Sequence, residues 1–319
     1  MSVELTKYRL SNAFRCYWNY ALSRFGLVRI SHMPLFVSVE PAAVCQLRCP
    51  ECPVGQKSYS PKDGLMPLEV FRRVLMEARE KAWVMQFYFQ GEPLLNQDLP
   101  HMIQEAHEAG LYTIVSTNAQ ALTEKMADDL VRAGLSKIIV SMDGLTAESY
   151  GAYRVGGDIE KCKAALRYLR SAKERLHARM TIELQCLRLR TNEQEWKAFK
   201  KEYKRLGADR LALKTAQLYN YSNGHPLMPS DMRYSRYVKG EDGLFRRRRL
   251  GKGCLRVWSG IVVTTNGDVL PCCYDKAHEH AYGNIMDASL ETLFTNDKAV
   301  AFRKAALSEQ PYICKECYR

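Results

Sequence analysis

Three cysteines fall within eight residues of VCQLRCPECPVG (44–55), at Cys45, Cys49 and Cys52. With 11 Cys among 319 residues, a triplet at this spacing is expected by chance only ~0.01 times per chain, so the spacing asks for a chemical reason. Three is the wrong parity for disulfides, and the opening MSVELTKYRL lacks the apolar stretch and small-residue cleavage site of a secretory signal. The thiols are therefore expected to be reduced, and the chain cytoplasmic. Reduced thiolates are soft ligands that favour iron–sulfur clusters, zinc or Cu(I). A closed tetrahedral site takes four of them, whereas three around a cubane leave one iron open to a further ligand.

A loop of this kind needs a scaffold, and the hydrophobic pattern supplies one. Apolar runs at 35–40 (LFVSVE), 85–90 (MQFYFQ), 111–117 (LYTIVST), 137–143 (KIIVSMD), 180–186 (MTIELQC) and 210–215 (RLALKT) alternate with amphipathic helical segments, one of which begins at Pro67. Six such units predict an α/β fold around a parallel sheet, with chemistry in the loops after the strands. The Cys triplet follows the first strand. Residues 219–253 are rich in Asn, Ser, Gly, Pro and charge and read as a linker or substrate-covering loop. Asn266-Gly267 lies between two β-rich runs and predicts a hairpin, and SLETLFTNDKAVAFRKAAL predicts a helix before the terminal CKECYR. The expected organisation is a basic N-terminal helix (1–33), a barrel (34–218), the linker (219–253) and a C-terminal unit (254–319). No run approaches the ~18 apolar residues of a membrane span.

CxxxCxxC on the loop after the first strand of a β/α barrel resembles the radical S-adenosylmethionine (SAM) superfamily. The resemblance implies a partial (β/α)6 TIM barrel and a [4Fe–4S] cluster held by Cys45, Cys49 and Cys52. The open iron would be chelated by the amino and carboxylate groups of SAM, whose reductive cleavage releases a 5′-deoxyadenosyl radical. FYFQGEPLLN resembles the family's GGE motif with Gln90 in place of the first Gly, so Gln90, Gly91, Glu92 and Pro93 would hold the SAM amino group. Ser116, Thr117 and Asn118 end the third strand, and Ser141 and Asp143 the fourth, where relatives contact the ribose and carboxylate. Arg154, in YRVGG, resembles an Arg that pairs with that carboxylate. Relatives usually carry an aromatic residue before the third Cys; Glu51 stands there instead.

Eight cysteines remain. Cys254 and Cys272 flank the predicted hairpin and Cys314 and Cys317 form a terminal CxxC, four thiolates able to enclose a complete cubane. The arrangement resembles the twitch domain, a shortened SPASM domain carrying one auxiliary [4Fe–4S] cluster. A structural zinc site is the competing reading, either on the same four thiols or on Cys272, Cys273, His278 and His280. Cys16, Cys162 and Cys186 fit no ligand spacing and read as small hydrophobes. Cys273 is either a spare thiol in a packed strand or a hydrogen-atom donor, and strand alternation would put it on the face opposite Cys272.

Several functions follow from these residues. The leading one is oxidation of a polar metabolite such as a sugar or cyclitol, with Glu183, Gln185, Lys214, Thr215 and Gln217 at the barrel mouth and a flavodoxin or ferredoxin as electron donor. The alternatives are an epimerase using Cys273 or an enzyme modifying a ribosomally made peptide. From a different class comes a metal-stabilised RNA-binding protein, suggested by the net charge of +12; nucleic acid is not the expected partner. The same charge suits an anionic substrate. The RRRR run (246–249) reads equally as a solvated loop. In NAFRCYWNYALSRFGLVRI, Phe14, Trp18, Leu22 and Phe25 recur at helical spacing among Arg15, Arg24 and Arg29. This helix is expected to cover one end of the barrel, or alternatively to lie on a membrane surface.

Overall fold

The computed structural model describes residues 4–58, 64–248, 253–308 and 310–317. Helix α1 (Lys7–Ser23) precedes six strands that pair in parallel, in chain order: β1 (Phe36–Val39), β2 (Val84–Phe87), β3 (Tyr112–Thr117), β4 (Lys137–Ser141), β5 (Thr181–Arg188) and β6 (Arg210–Thr215). Between them run α2 (Leu68–Ala78), α3 (Leu99–Glu108), α4 (Glu124–Arg132), α5 (Ala147–Gly151), α6 (Ile159–Arg175) and α7 (Trp196–Glu202). The sheet extends past β1. After the β7 (Tyr237–Lys239) and β8 (Phe245–Arg247) hairpin and α8 (Leu255–Ser259), β9 (Gly260–Val263) pairs parallel to β1. Strands β10 (Asp268–Leu270) and β11 (Gly283–Asn284) then add on antiparallel. The C-terminal unit is thus continuous with the barrel sheet at the level of backbone hydrogen bonds. It ends in α9 (Leu290–Thr295), α10 (Asp297–Leu307) and α11 (Tyr312–Lys315).

Strand alternation sorts the two faces of the sheet. Val37, Val39, Met85, Phe87, Val115, Ile138, Val140, Ile182 and Leu184 are fully buried against the helices, where α2 presents Val70, Phe71, Val74 and Ala78, and α6 presents Cys162, Ala165, Leu166 and Leu169. Truncating one of these Leu or Phe side chains costs about 2–5 kcal/mol. The opposite face is polar: the register places Ser38 beside Gln86, Ser141 beside Gln185 and Leu187 beside Lys214. Cys16, Cys162 and Cys186 are buried, and burial pushes the Cys16 and Cys162 thiols up to about 12. They act as hydrophobes.

Four local expectations need correcting. The 289–307 helix is broken at Asn296, whose extended backbone (φ −65°, ψ 171°) and side chain, accepting from the Ala299 amide at 2.9 Å, restart it as α10. The 219–253 segment holds the β7–β8 hairpin. Of its arginines, Arg246 and Arg248 are exposed, pairing with Asp242 and donating to the Met232 carbonyl, and Arg247 donates to the Cys317 carbonyl; Arg249 lies outside the described residues. Cys272 and Cys273 sit in a bend and turn after β10, so strand alternation does not separate them. Finally, α1 covers the end of the barrel where strands begin, but with its polar face. Arg9 donates to the carbonyls of Glu4, Arg79, Ala109 and Gly110 at 2.7–2.9 Å, and Asn12 bonds Met33 and Lys81. The aromatic face points outward.

Candidate active site

The Cys loop leaves β1 and is pinned by its neighbours. The Glu92 amide donates to the Val44 carbonyl at 2.8 Å, and the Arg48 amide to Val155 at 2.9 Å. Two glycines permit this closeness. A Cβ at Gly91 would meet the carbonyl oxygens of Ala42 at 2.2 Å and Val44 at 2.7 Å, and one at Gly55 would meet Cys49 O at 2.5 Å. Cys45, Cys49 and Cys52 line a cavity of ≈230 Å³ together with Gln90, Gly91, Glu92, Ser116, Asn118, Ser141 and Arg154.

Glu92 is buried in that wall. Burial raises its pKa, opposed by bonds from the Thr117 hydroxyl (2.5 Å) and the Asn118 amide (2.7 Å). Cys45 Sγ accepts from Asn118 Nδ2 and the Leu47 amide, each at 3.4 Å, although burial still pushes its thiol up to about 11. Those donors would favour a metal-bound thiolate. Arg154 is held charged, its burial outweighed by Asp143 and Cys49. Arg154 Nε donates to Asp143 Oδ2 at 2.6 Å while Asp143 Oδ1 accepts the Leu187 amide at 2.6 Å. Asp143 is fully buried and outside the cavity wall, where it holds Arg154 in place. Pro93 is likewise not on the wall; it opens the buried 3₁₀ turn Pro93–Leu95.

The two departures from the family pattern make structural contacts of their own. Gln90 Nε2 donates to the Lys276 carbonyl at 3.2 Å, linking the end of β2 to the C-terminal unit. Glu51 accepts the Tyr219 amide at 2.6 Å and faces His225 Nε2 at 3.3 Å, fastening the Cys loop under the 219–253 segment.

The second set of thiols converges too. Cys254 at the start of α8, Cys272, Cys314 in α11 and Cys317 line one cavity of ≈640 Å³. Its walls come from β8, α8 and the chain end. His278 and His280 lie beside Phe89 and Phe302 (6.3 and 4.9 Å). The four thiols all lie within residues 254–318.

Between the two sites lies the polar barrel interior. Glu183 pairs with Lys137 at 2.7 Å. The Lys214 ammonium is pulled below its ordinary pKa, first by desolvation from the barrel walls; Lys137, Arg236 and Arg256 add to this and Glu183 opposes it. Arg256 donates to Cys273 Sγ at 3.6 Å, and both border an interior cavity of ≈270 Å³. A further cavity of ≈350 Å³ runs between the Cys loop (Pro53, Gln56) and the chain end (Tyr312, Glu316), with Gln217, Tyr219 and Lys276. Three further residues shape these sites without a motif signal of their own: Gly55, closing the cysteine motif, and Tyr153, in the YRVGG run, line the first cavity, and Arg256 follows Cys254 by two residues.

A β/α barrel with three thiols in the first loop and four at its open side defines a radical SAM enzyme with a C-terminal cluster domain. The chain carries both domains: residues 39–184 match "Radical SAM superfamily" and residues 254–318 match SPASM, an "Iron-sulfur cluster-binding domain". That family assignment implies a [4Fe–4S] cluster and SAM in the barrel, and further iron–sulfur binding in the SPASM domain. A PqqA peptide cyclase of Xanthomonas campestris pv. campestris (strain 8004) is 26% identical over 310 residues, covering 89% of this chain and 79% of the relative. Among solved structures, BtrN in complex with AdoMet and 2-DOIA superposes with a TM-score of 0.55 at 22% identity, covering 91% of this chain and 95% of that one. Streptococcus suis SuiB bound to the precursor peptide SuiA gives 0.65 at 14% identity, covering 92% and 71%. No helix among the described residues is long and apolar enough to cross a membrane.

Proposed function

We propose that this radical SAM enzyme oxidises a peptide. The observation that carries the reading is the similarity to PqqA peptide cyclases over 89% of the chain. The polar-metabolite reading has weaker support, since the BtrN likeness is one of fold. In the proposed assignment Cys45, Cys49 and Cys52 hold the first cluster, and Gly91, Glu92, Ser116, Asn118, Ser141 and Arg154 surround SAM. Cys254, Cys272, Cys314 and Cys317 hold the auxiliary cluster. Bound there, the first cluster and SAM would supply one-electron cleavage of the sulfonium and removal of a substrate hydrogen atom, and the auxiliary cluster would take the second electron as the substrate gives up a proton. The chain's own residues bind, orient and exclude water. Glu92, kept dry and hydrogen-bonded, accepts from an ammonium; the charged Arg154, set by Asp143, meets a carboxylate.

The cavity between the Cys loop and the chain end is the peptide's path inward. Lys214, Arg236 and Arg256 along the interior favour a carboxylate-bearing residue at the point of reaction. The test is anaerobic reconstitution with iron and sulfide counts, followed by dithionite reduction with SAM and candidate precursor peptides. Peptide mass lower by two hydrogens, in step with 5′-deoxyadenosine formation, supports the reading. Coupled turnover of a sugar or cyclitol with no peptide reaction overturns it.

The position of Cys273 in the barrel interior, beside Arg256, favours a second reading in which its thiol returns a hydrogen atom to the substrate. A Cys273→Ala variant would then still cleave SAM but give no inverted product.

A further inference from the structure

Helix α1 is packed the opposite way round from a usual surface helix. Its buried stripe is Arg9, Asn12, Cys16, Asn19 and Ser23, in which Arg9, Asn12 and Asn19 bond residues outside the helix and Ser23 bonds the Tyr20 carbonyl. Its outward stripe is apolar: Leu10, Phe14, Tyr17 and Trp18 are 50–69% exposed, and Phe25 and Leu27 beyond the helix are 84% and 60% exposed. The Phe14 and Trp18 rings stack with centroids 6.4 Å apart and planes within 9°, so the strip is continuous. At 100° per residue, Lys7, Leu10, Phe14, Tyr17, Trp18 and Ala21 fall within an arc of about 100°, with Arg15 on its flank. Contiguous exposed apolar surface of this size marks an interaction site.

Charge identifies the partner. Between Glu4 and Glu40 the chain has no carboxylate, while Lys7, Arg15, Arg24 and Arg29 lie in that stretch; Lys7, Arg15 and Arg29 are exposed. Large aromatics on one stripe with a cationic border match the boundary between acyl chains and anionic headgroups. The helix lies at the end of the barrel where strands begin, away from the thiol loop that follows β1, so docking there leaves the reactive mouth uncovered. We propose that α1 seats this protein in the plane of an anionic membrane surface.

The test is co-sedimentation of the reconstituted full chain with phosphatidylcholine vesicles, with or without phosphatidylglycerol. Binding is expected only to the phosphatidylglycerol-containing vesicles. It should fall at least about tenfold in a Phe14→Ser/Trp18→Ser double variant and in a Lys7→Glu/Arg15→Glu variant. Iron content and melting temperature should stay at wild-type values, since these side chains face solvent. Failure of the wild type to bind, or wild-type binding by both variants, overturns the proposal. So does a large drop in melting temperature, which would show the strip to be packed. Self-association abolished by the aromatic substitutions would reassign the face to a second copy of the chain.

Discussion

Replacing Gly91 with Ala tests whether the Cys loop and the end of β2 must touch. The added Cβ falls 2.2 Å from Ala42 O and 2.7 Å from Val44 O, both backbone atoms. An ordinary carbon–oxygen contact is about 3.3 Å or longer, so the loop has to retreat by roughly 1 Å. The Glu92 amide bond to Val44, 2.8 Å in the native chain, then stretches past useful range. Its loss is worth about 0.5–1.5 kcal/mol, and overpacking adds about 1–3 kcal/mol. A displacement of this size at a reacting centre costs about a hundredfold in rate. Gly91→Ala is therefore expected to melt several degrees lower, to take up less iron, and to form 5′-deoxyadenosine at least about a hundredfold more slowly. Gly151→Ala is the control: its Cβ meets nothing within 4 Å and it ends α5, so it should be neutral or slightly stabilising. A Gly91→Ala protein with full iron and wild-type SAM cleavage would refute the close-approach argument.

Asp143→Asn leaves the buried Arg154 charge without its counter-ion and should destabilise by about 3–5 kcal/mol; urea unfolding and SAM titration check that stability and SAM affinity fall together. Glu51→Ala strips the Tyr219 amide of its acceptor, costing about 1–3 kcal/mol, and should speed bleaching of the first cluster in air at the visible charge-transfer band. His32 is buried between Asn19 and the Trp258 carbonyl, and burial lowers its pKa to about 4. Its folded value lies below an unfolded value of about 6.5, so stability is complete above that pH. It is lost as pH falls toward 4, by up to about 3 kcal/mol. Melting curves from pH 7 to 4 should show this slope flattened in His32→Gln, and an unchanged slope would reject it.

Most of the barrel was legible because its strands are apolar runs whose outer faces must be buried, and because CxxxCxxC and GEP sit where parallel strands end. The misreadings share a cause. Sequence periodicity locates an apolar stripe without saying which stripe packs. In α1, Arg9 and Asn12 donate to carbonyls at the barrel end and Asn19 bonds Ser31 and the His32 ring, so the polar stripe went inside. Asp143 stands at the expected strand end but behind the cavity wall, with its two oxygens on Arg154, which does line the cavity, and on the Leu187 amide. Cys272 and Cys273 were assigned strand geometry, but the ladder stops at Leu270. The break at Asn296 was written in TND, an N-cap signal overridden in the reading by the apolar period around it.

One segment connects what the motifs left separate. Residues 219–248 reach the first thiol loop through Tyr219 and His225 on Glu51. They reach the last CxxC through Arg247 on the Cys317 carbonyl and Tyr221 on Glu316. The same stretch packs Tyr237 and Leu227 against Leu47 and Cys49 in a small core apart from the main one. A covering element anchored at both ends cannot rise from one cysteine loop without straining its hold on the other. Anything passing between the loops has to accommodate it. Substitutions in this segment should therefore disturb both clusters at once, whereas a loss confined to one cluster would mean that the two loops are held independently.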